Sequence, residues 1–498
     1  MLLEKLEDYA SNRIYPMHMP GHKRNASMLT AGLPYEIDIS EIHGFDNLHE
    51  PKGILKEIAD LAAELYGSDR AFLLVNGSTV GIMAAIGAHV GNGEKILVAR
   101  NCHLAVHNAI ALFGLTPTYI MPETDSDTAI ALSVTPASVK LALEENSDIK
   151  LIVITSPTYE GILSDVGAIA AIAHERGIPL LVDAAHGAHL GFSSGFPGSA
   201  VKEGADIIVM SLHKTLPALT QCALMHICGN LANASEASRL LSVFQTSSPS
   251  YVLMASIDRC LRLLATDGAR LFGDYERNLH AFYEDIRSLR KLSFLQRSEE
   301  GGLFDARVLG DAAFATFDID PGKIVINTSK TALSGTMLKD TMRLDHNIEL
   351  EMACQSHCVA MTSICDTDEG FSRLSKALNA IDSTLAATQK NALPHSGASQ
   401  RRASVVRNKL PFLAEIPATA LKKRGEFISI DKAVGLMSLE YVWAYPPGIP
   451  IIAPGEIIDQ STVSLISELA ISGIEAKSTK ARLPHSIYAV GPLAAIDV

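Results

Sequence analysis

From Ala71 onward, short runs that are apolar at nearly every position alternate with segments of helical period. The runs are AFLLV (71–75), KILVA (95–99), KLIVI (150–154), PLLVD (179–183) and DIIVM (206–210), followed by CALMHI (222–227). Strands that read as continuously apolar are covered on both faces, so the pattern predicts an α/β fold with a mostly parallel central sheet. Polar clusters follow these strands directly: NGST (76–79), TSPTYEG (155–161), DAAH (183–186) and SLHKT (211–215). Ligands of open α/β sheets bind beyond the carboxyl ends of the strands, so the four loops are expected to converge on one pocket.

The flanking pattern divides the chain further. Residues 1–50 carry Pro, Gly and His without enough periodic apolar positions for a core, and read as an arm packed on something else. Residues 51–275 form the large domain. A long helical pattern over 251–292 leads into a smaller α+β domain, residues 276–385, with strand-like segments at 312–319 and 357–364. Residues 386–408 read as a linker, and 409–498 as a C-terminal module containing YPPGIPIIAPGE (445–456).

Composition narrows the function classes. Lys and Arg number 42 against 55 Asp and Glu, a net charge of −13 that argues against a nucleic-acid partner. No apolar run reaches the roughly 18 residues of a membrane span. The charged start, MLLEKLEDYASNR, lacks the features of a secretory signal, so the cytoplasm is the expected location. Seven scattered cysteines suggest neither a disulfide framework nor a zinc site. Cys354 and Cys358 flank His357 at one-turn spacing, which reads as two core sulfurs on an apolar helix, with no metal expected.

Lys214 stands just past a buried strand, where a desolvated amine can act as a carbonyl-attacking nucleophile. Asp183 ends another core strand and suits either a helix N-cap or a partner for a protonated pyridine nitrogen. NGSTVG opens a helix, so its backbone N–H groups with the Ser78 and Thr79 hydroxyls suit a single phosphate. The loop is neither GxxxxGK[ST] nor GxGxxG, which counts against ATP and NAD. Phosphate cradle, strand-end Asp and strand-end Lys in that order are what pyridoxal 5'-phosphate (PLP) requires in the aspartate-aminotransferase-like fold, fold type I.

The motifs MPGHKRN (19–25), DNLHEPKG (46–53), NGSTVG, ARNCHLAVHNA (99–109), TSPTYEGILSD, DAAHGAH, SLHKTLPALTQ, QTSSPSYVLMASID (245–258) and YPPGIPIIAPGE together resemble the bacterial Orn/Lys/Arg decarboxylase family along nearly the whole chain. The resemblance implies that Lys214 joins the cofactor, Asp183 partners its pyridinium, and His103 stacks on its ring. It implies phosphate contacts from Ser78, Thr79 and Ser211, ring neighbours in Ala185 and His186, and a proton donor in His213. Thr246, Ser247 and Ser248 are similar to a segment that reaches the phosphate of a neighbouring subunit, which implies a homodimer or larger homo-oligomer. The chain looks like the short type of the family, without the N-terminal wing of its acid-inducible members. Arginine is the expected substrate of that type, giving agmatine and CO2 for polyamine biosynthesis, with lysine and ornithine as alternatives.

Substrate recognition calls for an acidic partner, and Glu456 or Asp46 could fill that role or be structural. His18, His22 and His49 lie in motifs expected near the entrance. Two other readings remain at this stage: another fold-type-I enzyme, such as an aminotransferase or lyase, and a catalytically silent homologue. No motif around Arg343 or Arg373 matches the carboxylate-binding arginine of the aminotransferases, and the intact Lys214, Asp183 and His103 speak against silence.

Overall fold

The computed structural model describes residues 1–12, 17, 19–20, 22–25, 32–125, 128–295, 316–391, 410–445, 449–471 and 475–491. Eight strands belong to the large domain: β1 (Arg70–Leu74), β2 (Lys95–Ala99), β3 (Thr116–Ile120), β4 (Ile149–Thr155), β5 (Ile162–Leu163), β6 (Leu180–Asp183), β7 (Ile207–Ser211) and β8 (Ala223–Ile227). All but β5 form one seven-stranded sheet in the order β1-β8-β7-β6-β4-β2-β3. The strands from β7 to β3 run parallel, and β8 is antiparallel to both its neighbours. β6, β7 and β8 are buried at every position, as their unbroken apolar sequences require.

Helix α1 (Leu2–Ser11) begins the arm, and α2 (Ile54–Tyr66) precedes β1. α3 (Gly77–His89) follows β1 and is apolar all round, because it lies between the sheet and α4 (Leu104–Phe113) and α8 (Ala234–Phe244). Its close seat on the sheet depends on Gly81, where a Cβ would fall 2.6 Å from Leu74 Cδ1. α5 (Pro136–Glu145) and α6 (Val166–His174) pack together, and α7 (Leu212–Thr215) is a single turn. α9 (Tyr251–Ile286) is one unbroken helix of 36 residues.

Several expectations meet their physical limits here. The boundary at 275 falls inside α9, and one hydrophobic core continues from the large sheet to Ile324 and Ile326 in the small domain. The arm does pack on something else: Leu2 and Leu6 are fully buried, and the Leu2 N–H donates to Asp258 of α9. The helix Asp368–Asn391 runs into the expected linker, whose remaining residues lie outside the described ones, as does the first half of the strand expected at 312–319. The pattern missed β3, an edge strand interrupted by Pro117. Cys358 stands on the strand His357–Met361 and Cys354 in the turn before it, so the pair is not helical. The thiol of Cys358 donates to the Gly335 carbonyl.

The small domain contains a four-stranded antiparallel sheet with helix Gly335–His346 packed on it, while helix Asp368–Asn391 packs along α9. Its strand Asp318–Ile319 pairs with β5, tying it to the loop after β4. The C-terminal module has its own core around Val442, Ile452, Ile466 and Ile487. It is fastened to the large domain by a buried ion pair in which Arg100 donates both terminal nitrogens to Glu456, at 2.7 and 2.9 Å. Both side chains are nearly inaccessible, and the Tyr441 hydroxyl adds a bond to the His107 carbonyl. No helix is long and apolar enough to cross a membrane among the described residues.

Removing one member of a buried pair strands the other charge, at a cost of about 3–5 kcal/mol. Glu456→Ala is therefore expected to lower the urea midpoint of unfolding markedly, whereas Glu415→Ala, whose partner Lys423 is part-exposed, should shift it little. Equal midpoints for the two variants would contradict this role for the pair.

Candidate active site

Strand register brings the chemistry together. Thr155 at the end of β4 pairs with Asp183 at the end of β6, and Asp183 pairs with Val209 two residues before the end of β7. Ser211, the last residue of β7, faces Ala223, which on its other side faces Leu74 at the end of β1. The loops after β1, β2, β4, β6 and β7 therefore open at one edge, around a cavity of about 550 Å³. Gly77, Ser78, Thr79, His103, Asp183, Ala185, His186, Ser211, His213 and Lys214 all line it.

At the α3 end of the cavity, the N–H of Gly77 donates to the Gln221 carbonyl at 3.0 Å, fixing the loop that presents Ser78 and Thr79. The Ser211 hydroxyl is fully buried and has no hydrogen-bond partner among the described residues. A buried hydroxyl left unpaired at a helix N-terminus is a place for an anionic oxygen.

On the opposite side, His103 caps α4, accepting the Ala105 N–H at Nδ1, so its own proton sits on Nε2. Asp183 is 2% exposed and accepts the Ala185 N–H. Burial pushes its carboxyl up, against the pull of His103 and Lys214. A carboxylate so placed stays ionised when a cation sits against it. His103 is held below the usual imidazole range by burial, with Asp183 opposing and Lys214 adding to the shift.

Lys214 occupies the turn of α7, and its Nζ lies 3.0 Å from His186 Nε2. Burial lowers its amine, with Asp183 and Glu351 opposing. An amine brought down in this way keeps the lone pair that nucleophilic attack needs. His213 Nδ1 lies 3.0 Å from the Cys222 carbonyl, so Nδ1 carries the donated proton and Nε2 is left to exchange one.

The remaining expected residues lie elsewhere. Glu456 is 1% exposed and is consumed by Arg100 and the Ala453 N–H, so it does not meet a substrate in this cavity. The Asp46 carboxylate accepts the N–H groups of Asn47, Lys52, Gly53 and Leu55, which hold it below the usual carboxylate range against the effect of burial. Neither carboxylate lines the cavity, and both are engaged within this protomer. Thr246, Ser247 and Ser248 are exposed outside the cavity, with the Thr246 N–H on Asn76 and the Thr246 carbonyl on His49. His22 pairs with Asp38, and His18 lies outside the described residues.

The cavity also holds groups that sequence reading passed over. Glu160 and Glu351 both line it, with Tyr159 between them donating its hydroxyl to Glu351. Burial pushes the Glu160 carboxyl up, with its own backbone, Thr158 and Lys323 opposing. Glu160 was within reach of sequence reasoning, being the one acid in the strand-end motif TSPTYEG. Glu351 and Lys323 carry no comparable local signal, since they arrive from the small domain.

A family model for the major domain of Orn/Lys/Arg decarboxylases matches residues 1–366, and one for the C-terminal domain matches 408–473. An arginine decarboxylase of Bacillus subtilis is 32% identical, with 99% of this chain and 98% of the relative covered. One from Halalkalibacterium halodurans is 34% identical, with 94% and 92% covered. The crystal structure of the Francisella novicida lysine decarboxylase superposes with a TM-score of 0.79 at 18% identity, covering 98% of this chain and 80% of that one, which shows the same fold. With these matches laid over a strand-end cavity holding Lys214 and Asp183, the chain belongs to the Orn/Lys/Arg decarboxylase family and is a decarboxylase of basic amino acids.

Proposed function

We propose that the protein binds pyridoxal 5'-phosphate in this cavity and decarboxylates arginine to agmatine and CO2, as a cytoplasmic homo-oligomer serving polyamine synthesis. The observation that carries the arginine reading is the set of four curated arginine decarboxylases at 32–34% identity over at least 91% of this chain. Lysine decarboxylases of Pseudomonas aeruginosa and Escherichia coli stand at 22–23%. Seven unpaired cysteines suit a reducing compartment.

The residues present fit the cofactor. The orphaned Ser211 hydroxyl, with the backbone at Gly77, Ser78 and Thr79, is the place for its phosphate. Asp183 is the place for its pyridinium, and Lys214 for its aldehyde carbon. The chemistry supplied by bound PLP is an electron sink for the pair left behind when CO2 departs.

The chain's own groups do the rest. Asp183, ionised against the pyridinium, keeps that nitrogen protonated and so keeps the sink deep. His103 presents its ring to the cavity, with the Nε2 proton fixed by the cap at Nδ1. His213 or Lys214 returns a proton to the substrate's α-carbon, His213 through the nitrogen not engaged by Cys222. Glu160 and Glu351 supply the carboxylates a guanidinium requires, since a planar cation with five N–H donors is best met by acceptor-only oxygens. Thr246, Ser247 and Ser248, exposed beside the phosphate end, are the segment offered to a neighbouring subunit.

Borohydride reduction followed by peptide mapping is expected to leave the cofactor's mass on Lys214. Lys214→Ala should lose both that adduct and CO2 release; release persisting in the variant would overturn the assignment of Lys214.

A hydrogen bond to a charged group contributes about 1.5–3 kcal/mol, roughly ten- to a hundredfold in affinity. Ser211→Ala is therefore expected to weaken PLP binding by that factor in a fluorescence titration, and unchanged binding would remove Ser211 from the phosphate site. By the same arithmetic, the KM for arginine should rise about tenfold in Glu160→Gln or Glu351→Gln. An unchanged KM in both would mean that the guanidinium is held elsewhere.

A further inference from the structure

Lys323 takes no part in the chemistry above. It opens the strand Lys323–Asn327 of the small domain and is 1% exposed. Its Nζ lies 3.1 Å from His186 Nδ1, while Nε2 of the same ring lies 3.0 Å from Lys214 Nζ. One imidazole bridges the buried Lys323 and the half-buried Lys214.

The inventory of protons limits what this bridge can be. A neutral imidazole has one N–H and one lone pair, whereas an ammonium only donates. The ring is neutral, because burial, with Lys323 and Lys214 adding to it, holds His186 well below the usual imidazole range. Two ammonium groups cannot both be satisfied by such a ring. One lysine therefore donates to it, and the other presents a lone pair to its N–H.

The surroundings decide which lysine does which. Lys323 faces the carboxylates of Asp320, Glu160 and Glu351, with Lys214 as the opposing cation. Burial is the larger influence and brings its amine down to about 8, which still leaves it mostly protonated at neutral pH. Lys214 faces Asp183, Glu351, His103 and His186, and needs its lone pair to attack a carbonyl carbon. The Lys323 stem is held in place by its fit on Gly161, where a Cβ would fall 2.8 Å from Lys323 Cβ.

We infer that Lys323 is a positioning residue for the reaction: its ammonium donates to His186 Nδ1, fixes the ring proton on Nε2, and so turns an N–H toward the Lys214 lone pair. This relay keeps Lys214 as a free amine aimed into the cavity. It also couples the small domain, which carries Lys323, to the lysine of the large domain. The inference rests on reading Lys214 as the lysine that joins the cofactor. It is tested on the full chain freed of cofactor, so that it fails separately from that reading.

Wild-type protein carrying ring-15N histidine, with the His186 signals assigned by their loss in His186→Asn, is expected to show a neutral His186 protonated on Nε2. A ring protonated on Nδ1 overturns the relay, and this readout does not depend on any Lys323 variant folding. The rate at which an acylating reagent modifies Lys214, followed by peptide mass spectrometry against pH, reports the amine directly. Lys323→Met removes a neighbouring cation and frees His186 Nε2 to accept, and both effects raise the Lys214 pKa. One unit of rise means about tenfold slower labelling at pH 8. Lys323→Arg, which keeps the cation, is expected to label as the wild type does. Labelling unchanged in Lys323→Met, or slowed equally by Lys323→Arg, overturns the inference.

Discussion

The site depends on the register of a parallel sheet. Parallel strands that pair in register end together, and their loops then have nowhere to go but a shared edge. Thr155 beside Asp183, with Asp183 beside Val209, sets the positions of two of the loops, and the antiparallel β8 carries the alignment across to β1. A shift of one residue between β6 and β7 would turn Asp183 to the other face of the sheet. The buried apolar faces of these strands make such a shift costly, so core packing and active-site geometry are enforced by the same contacts.

The second constraint is electrostatic. The edge of the sheet gathers Asp183, His103, His186 and Lys214 around the cavity, with buried Lys323 beside His186, and a group withdrawn from water there must find a counterpart or lose its charge. The imidazoles give up theirs, and the lysines come down. Burial pushes the Asp183 carboxyl up, against the pull of His103 and Lys214. Away from the cavity, Arg100 and Glu456 resolve the same problem within the protein by pairing with each other, which also seats the C-terminal module beside the strand that leads to His103.

Much of this was legible in the sequence because local pattern and chemistry coincide in the large domain. The buried strands there are short and mostly apolar, and the polar residues that end β4, β6 and β7, namely Thr155, Asp183 and Ser211, line the cavity. Asp183 and Lys214 could therefore be singled out at strand ends, while the roles expected of them, of Ser211 and of His103 came with the family motifs that contain them. Legibility failed where function comes from a distant element. Lys323 begins a strand and carries no local signal; its place appears only when the small domain brings it against His186. Glu456 was open to two readings, a substrate partner or a structural acid. An acid in a proline-rich motif invites a substrate role, but its partner Arg100 lies 356 residues away in sequence. Asp46 is similar: four backbone N–H groups from its own loop engage it, a turn geometry that residue identities do not reveal.

The most direct test of the central claim is the rate of CO2 release from arginine, lysine and ornithine, each supplied to the full chain with pyridoxal 5'-phosphate. Release from arginine well above the other two is expected. Preference for lysine or ornithine would contradict the arginine assignment, and no release from any of the three with the cofactor bound would contradict decarboxylation itself.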